Sequence, residues 1–68
     1  MNIERSTRLA MAHKGIKTQA EAAQICNLGA MTISKILSGK GFASEYTIVQ
    51  LSKGFELKVS EFIALGEE

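Results

Sequence analysis

The sequence predicts an all-α fold of five short helices in one domain, residues 1–68. Two observations lead there. Residues that cap helices (Asn2, Thr18 and Ser44) stand just ahead of runs whose apolar side chains recur at three- and four-residue spacing. Gly15, Asn27 and Gly39 then close three of those runs, as residues tolerant of a left-handed backbone do at helix ends.

The first helix is expected over residues 3 to 13, with Asn2 as its cap and Glu4 in the first turn, where the positive end of the dipole favours an acid. Its apolar residues Ile3, Leu9, Ala10, Met11 and Ala12 wrap widely and define no single buried face. Arg5 and Arg8, three apart, share one side, either solvated or set against phosphate. Gly15 ends the helix and Ile16 returns the chain to the core.

The stretch from Thr18 to Lys40 carries the most information. Thr18 and Glu21 have the spacing of a capping box, and a second helix follows over residues 19 to 26 with Ala22, Ala23 and Cys26 small or apolar. Asn27 is suited to a sharp corner, with Leu28 just beyond it. A third helix follows over residues 30 to 38, turning Ile33 and Ile36 inward and Ala30, Met31, Thr32, Lys35 and Ser38 outward. Ala23 is small enough for another helix to cross close by. A short helix, a corner and a second helix across it make a helix-turn-helix; the alternative is an ordinary pair of packed helices.

Downstream, Phe42 is expected to plug the loop between Gly39 and Ser44. Ser44 caps a fourth helix reaching about residue 53, with Ile48, Leu51 and Phe55 inward. Gly54 is a poor mid-helix residue, and marks either the end of that helix or a point of close packing. A fifth helix over residues 59 to 65 presents Val59, Phe62, Ile63 and Leu65, more apolar surface than one small core needs. Phe62 and Leu65 are therefore candidates for a seam between two copies, although Phe62 suits the monomer core equally well. Residues 66–68 are expected to form a loose tail.

Composition narrows the function classes. A chain of 68 residues buries only about 60% of its unfolded surface, so it depends on tight helix packing or on dimerisation. At 46% hydrophobic with four aromatic residues, its core is aliphatic. No apolar run is long enough for a spanning helix or a signal peptide, so the expected location is cytoplasmic, away from membranes. The single Cys26 permits no internal disulfide, and with one His no metal-ligand spacing arises; no metal and no cofactor are expected. No nucleophile–base set, carboxylate pair or phosphate-cradling loop points to an enzyme or a small-molecule substrate. Charge is asymmetric: residues 1–40 hold six bases against two acids, net +4, and residues 41–68 hold two against five, net −3. A basic half that holds the Thr18–Lys40 stretch fits a polyanion on one face.

That stretch resembles the helix-turn-helix of the lambda repressor, Cro and Xre proteins. Gln19 and Ala23 match the family's Gln and Ala, Asn27 stands where the family has Gly, and Cys26, Leu28, Ile33 and Ile36 fill its apolar positions. Thr32 to Ile36, then Gly39-Lys40, is similar to the recognition helix and its exit, and the likeness extends over residues 3–63. Two departures stand out. Gly15-Ile-Lys-Thr-Gln19 is one residue longer than the usual corner, and Ala30 and Met31 stand where many relatives carry Gln or Ser.

The resemblance implies a lambda-repressor-like domain that binds double-stranded DNA as a homodimer on an inverted repeat and regulates transcription, most simply as a Cro-like repressor of a phage or mobile element. In that scheme Gln19, Ala30, Met31, Thr32 and Lys35 face base edges, while Thr18, Gln19, Ser38 and Lys40 hold phosphates. With five helices assigned, no ligand-sensing domain is expected. The same build suits a restriction-modification controller, or an antitoxin that uses the fold to bind a protein partner.

Overall fold

The computed structural model describes residues 2–39 and 43–67. The described residues form five α-helices and no strand: α1 (Ile3–Lys14), α2 (Gln19–Cys26), α3 (Ala30–Ser38), α4 (Glu45–Gly54) and α5 (Val59–Leu65). Three N-termini are fixed by the residues expected to fix them. Asn2 accepts from Arg5 N–H at 3.0 Å, Thr18 from Glu21 N–H at 3.1 Å, and Ser44 from Thr47 N–H at 3.3 Å.

The return half of the box at Thr18 differs from expectation. The Glu21 carboxylate lies 3.5 Å from the N–H of Lys17 and does not reach Thr18, a distance at which little hydrogen-bond strength remains. The reciprocal contact forms instead at α5, where Glu61 accepts from Lys58 N–H at 2.9 Å.

The helices close a ring of neighbours: α1 packs on α3, α3 on α2, α2 on α4, α4 on α5 and α5 back on α1. Ile33, Leu51, Phe55 and Phe62 are fully enclosed inside this ring, together with Ala22, Ala23 and Cys26. The Phe55 and Phe62 rings stack with centroids 6.2 Å apart. Burying each such side chain contributes about 1.5–3 kcal/mol. Phe62 therefore belongs to the monomer core and has no free surface for a seam between copies. The outward apolar surface of α5 falls to Val59, with Ile63 and Leu65 half-buried.

Two glycines mark where backbones meet. Gly54 ends α4 against the last turn of α2: a Cβ there would lie 2.7 Å from Cys26 Cα and 2.8 Å from the Ile25 carbonyl oxygen. It is thus both the end of the helix and a close-packing point. Gly66 was expected in a loose tail, but it donates to the Ile63 carbonyl, and a Cβ on it would strike the carbonyl oxygen of Asn2. The end of α5 is thereby seated on the start of α1. Phe42, the expected loop plug, lies outside the described residues.

The buried face of α1 is made of Ser6, Thr7 and Ala10, all small. The hydroxyls of Ser6 and Thr7 are enclosed without a hydrogen-bond partner among the described residues, whereas buried Ser52 donates to Ile48 O at 2.8 Å. Burial also pushes the Cys26 thiol up from 9.0 to about 11.

Two stability predictions follow from this packing. Gly54→Ala forces α4 away from α2 and costs about 1–3 kcal/mol, measured as a lower midpoint in urea unfolding. The Cys26 thiol is held protonated more tightly in the folded chain than in the unfolded one, so stability is fully present below pH 9 and declines as pH rises towards about 11. Cys26→Ala should flatten that alkaline decline, and native Cys26 should react with a thiol reagent only on unfolding.

Candidate functional site

The geometry around α3 begins at Asn27. Its backbone is left-handed, φ 55 and ψ 46, and its N–H closes the end of α2 on the Gln24 carbonyl at 3.3 Å. Leu28 N–H returns to Ala23 O at 2.9 Å, which turns the chain sharply before α3 starts. The corner is backed from α4. Gln50 Nε2 reaches the Cys26 carbonyl at 3.4 Å, and Gly54 lies against the same turn.

Beyond the corner, Ile33, Ile36 and Leu37 point into the core. The opposite face of α3 is exposed at Ala30, Met31, Ser34, Lys35 and Ser38. Met31 is 72% exposed, far more than an apolar side chain of its size usually is. Thr32 was expected outward but is half-buried at the edge of this face. Its position, about 100° around the helix from Met31, places it on the flank. Ser34 was not among the expected residues, yet the spacing of positions 31, 34, 35 and 38 puts it at the middle of the outward stripe. The same arithmetic applied to Ile33 and Ile36 would have found Leu37 on the inward side.

The remaining expected contacts lie around this face. Thr18 and Gln19 are exposed at the start of α2; the Thr18 oxygen accepts from Glu21 N–H, which leaves its hydroxyl hydrogen free to donate outward. Ser38 turns its hydroxyl back onto Lys35 O at 2.9 Å, so as placed its proton is committed within the helix. Lys40 lies outside the described residues.

Ion pairs remove part of the basic charge from the first forty residues. Arg8 pairs with Glu4 at 3.1 Å, and Lys14 pairs with Glu56 at 3.8 Å. Arg5, Lys17 and Lys35 make no ion pair among the described residues. Lys35 is the one charged side chain on α3, and no acid interrupts its exposed face. No helix of the described residues is long and apolar enough to cross a membrane. No family model, curated protein or solved structure matches this chain.

The corner can be tested without reference to any ligand. Asn27→Gly should leave stability nearly unchanged, because glycine adopts the left-handed conformation freely. Asn27→Val should cost on the order of 1–2 kcal/mol or more in thermal or urea unfolding, since a β-branched residue resists it.

Proposed function

We propose that the chain is a lambda-repressor-like helix-turn-helix protein, in which α2 and α3 form the motif and α3 enters the major groove of DNA. The observation that supports this most directly is the exposed, acid-free face of α3, bearing Lys35 and carried beyond the left-handed corner at Asn27. A helix is about 10–12 Å across and the major groove about 12 Å wide, so such a face fits against base edges. Nine helical residues span about 13 Å, enough to cover roughly four base pairs.

In this reading Lys35 donates to a guanine edge, and Met31 and Ala30 rest on thymine methyls. Ser34 adds a hydroxyl in the centre of the face that either donates or accepts. Thr32, half-buried at its edge, contributes by its methyl group. Thr18 and Gln19 hold a phosphate at the start of α2, where free backbone N–H groups and the dipole favour an anion. Lys40 would hold another beyond α3. These backbone contacts set register, and α3 supplies the sequence preference. The protein acts as a transcriptional regulator, a Cro-like repressor in the simplest form, and binds as a two-fold dimer to half-sites about 34–36 Å apart. With Phe62 enclosed, Leu65, Ile63 and Val59 are the residues of α5 left for that dimer.

The exposure of Met31 supports a second reading, in which the same face meets a protein partner, as in an antitoxin. Fluorescence anisotropy separates the two. A duplex enriched from a random library should bind more tightly than its scrambled counterpart, with affinity falling as salt rises. Lys35→Ala should cost about 1–3 kcal/mol on the enriched duplex and reduce the preference. Gln19→Ala should weaken both duplexes alike. Equal binding of enriched and scrambled duplexes at every salt concentration would remove the regulator reading.

A further inference from the structure

We infer that Arg8 is a positioning residue: it sets the pitch of α3 by holding the carbonyl of Leu37, and acts on DNA only through that helix. The inference rests on the reading of α3 as the DNA-contacting helix. Its geometry stands on the fold alone.

The last carbonyls of a helix have no partner within it. In α3 they are taken in turn: Lys35 O by the Ser38 hydroxyl at 2.9 Å, Ile36 O by Gly39 N–H at 3.2 Å, and Leu37 O by Arg8 Nη2. The first two donors lie in α3 or at its C-cap, and the last comes from α1, 29 positions earlier. The guanidinium is itself oriented, because its Nε donates to Glu4 Oε2 at 3.1 Å. Glu4 in turn stands over the C-cap of α3, where a Cβ on Gly39 would lie 2.9 Å from Glu4 Oε1. A planar fork with two donors fixed in different directions defines an orientation, which a lysine ammonium does not. A cation at the negative end of the α3 dipole is favourable as well.

The packing of α1 on its neighbours gives this tether its importance. The buried residues of α1 are Ser6, Thr7 and Ala10, small side chains that let neighbouring helices approach but interlock little, and Ser6 lies against Gly66 at the end of α5. Two of the three carry hydroxyls with no hydrogen-bond partner among the described residues. α3 is anchored by Ile33, Ile36 and Leu37 in the core, and the charge-assisted bond from Arg8 adds a directional restraint at its C-terminal end. The N-terminal end of α3 is fixed separately, by the Asn27 corner. Restraint at both ends then determines which side chains of α3 meet a groove, and at what depth.

The competing role is a direct phosphate contact, since the Arg8 side chain is 57% exposed. The two roles give opposite signatures. The measurement uses a duplex selected from a random library with the wild-type protein, its scrambled counterpart, and salt from about 50 to 300 mM. Arg8→Met and Arg8→Lys should each lower the ratio of selected to scrambled affinity about tenfold, while the salt slope on the scrambled duplex is unchanged. Glu4→Gln should act in the same direction, less strongly, and circular dichroism should show the variants folded. A slope reduced by about one unit in Arg8→Met, with the ratio intact and Arg8→Lys behaving as wild type, would make Arg8 a phosphate contact and overturn the inference. Amide exchange tests the tether without DNA. In Arg8→Met the Leu37, Ser38 and Gly39 amides should exchange about tenfold faster while those of α2 and α4 keep their rates. Unchanged exchange there would overturn the tether, whereas an absence of preference in the wild-type protein would overturn only the DNA reading.

Discussion

The left-handed backbone of Asn27 is the constraint on which the arrangement of this chain depends. It ends α2, turns the chain within a few residues, and so decides which face of α3 meets the core. A corner of this kind has to be held, because an L-residue at positive φ carries a conformational cost. The holding comes from α4. Gly54 allows its backbone to approach Cys26 and Ile25 more closely than any side chain would permit, and Gln50 and the Leu51 carbonyl meet the same turn. The glycine that weakens α4 as a helix thus strengthens the tertiary contact that fixes α2. Local propensity is given up at its final residue, where the loss is smallest.

The same division between local and tertiary determinants explains which parts of the fold were readable from the residues. Helix starts were readable because a cap is a local device: Asn2, Thr18 and Ser44 each act on an N–H three residues away. Inward Ile33, Ile36, Ile48, Leu51 and Phe55 were readable because a 3.6-residue period leaves few other arrangements. Ser6 and Thr7 were not. Two hydroxyl residues beside Arg5 and Arg8 look solvent-facing in sequence, and only the closeness of α3 and α5 to α1 encloses them. Phe62 escaped a firm assignment for a similar reason, since its place depends on Phe55 across the α4–α5 turn. That turn has its own concealed feature, Glu56 at φ 60 with Lys14 opposite, at a residue type that gives no warning of a left-handed conformation.

Around α3 the legible and the illegible are more closely mixed. Ala30, Met31, Lys35 and Ser38 were placed outward from the pattern, and they are exposed. Ser34 was passed over although the period alone selects it, so that omission concerned reading and not physics. Thr32 is different: about 100° around the helix from Met31 it sits on the flank, where spacing alone does not decide between outward and half-buried. The hydrogen bond from Arg8 to Leu37 joins residues 29 apart and has no sequence signature at all. The elements of the candidate site were therefore legible, and its orientation was not.

Orientation matters more here than in a strongly basic domain. With Lys35 the one charged residue of α3, and Arg8 and Lys14 engaged with acids, little unpaired positive charge is left among the described residues of the first forty to attract a polyanion. Each phosphate neutralised contributes roughly −0.9 to the salt slope, so if α3 is the DNA-contacting helix, the three cations of the first forty residues without an ion pair among the described residues (Arg5, Lys17 and Lys35) supply only a weak sequence-independent term. On the proposed function, a weak indiscriminate term is useful for a small regulator, because the genome presents a vast excess of wrong sites. The affinity for the right site must then come from contacts that depend on fit: a lysine at a base edge, methyl and thioether surface against thymine, and a second copy on the adjoining half-site. Contacts of that kind depend on the direction in which the helix presents its side chains. On the proposed function, a protein that economises on charge gains from fixing its reading helix at both ends, with a backbone corner at one and a guanidinium at the other.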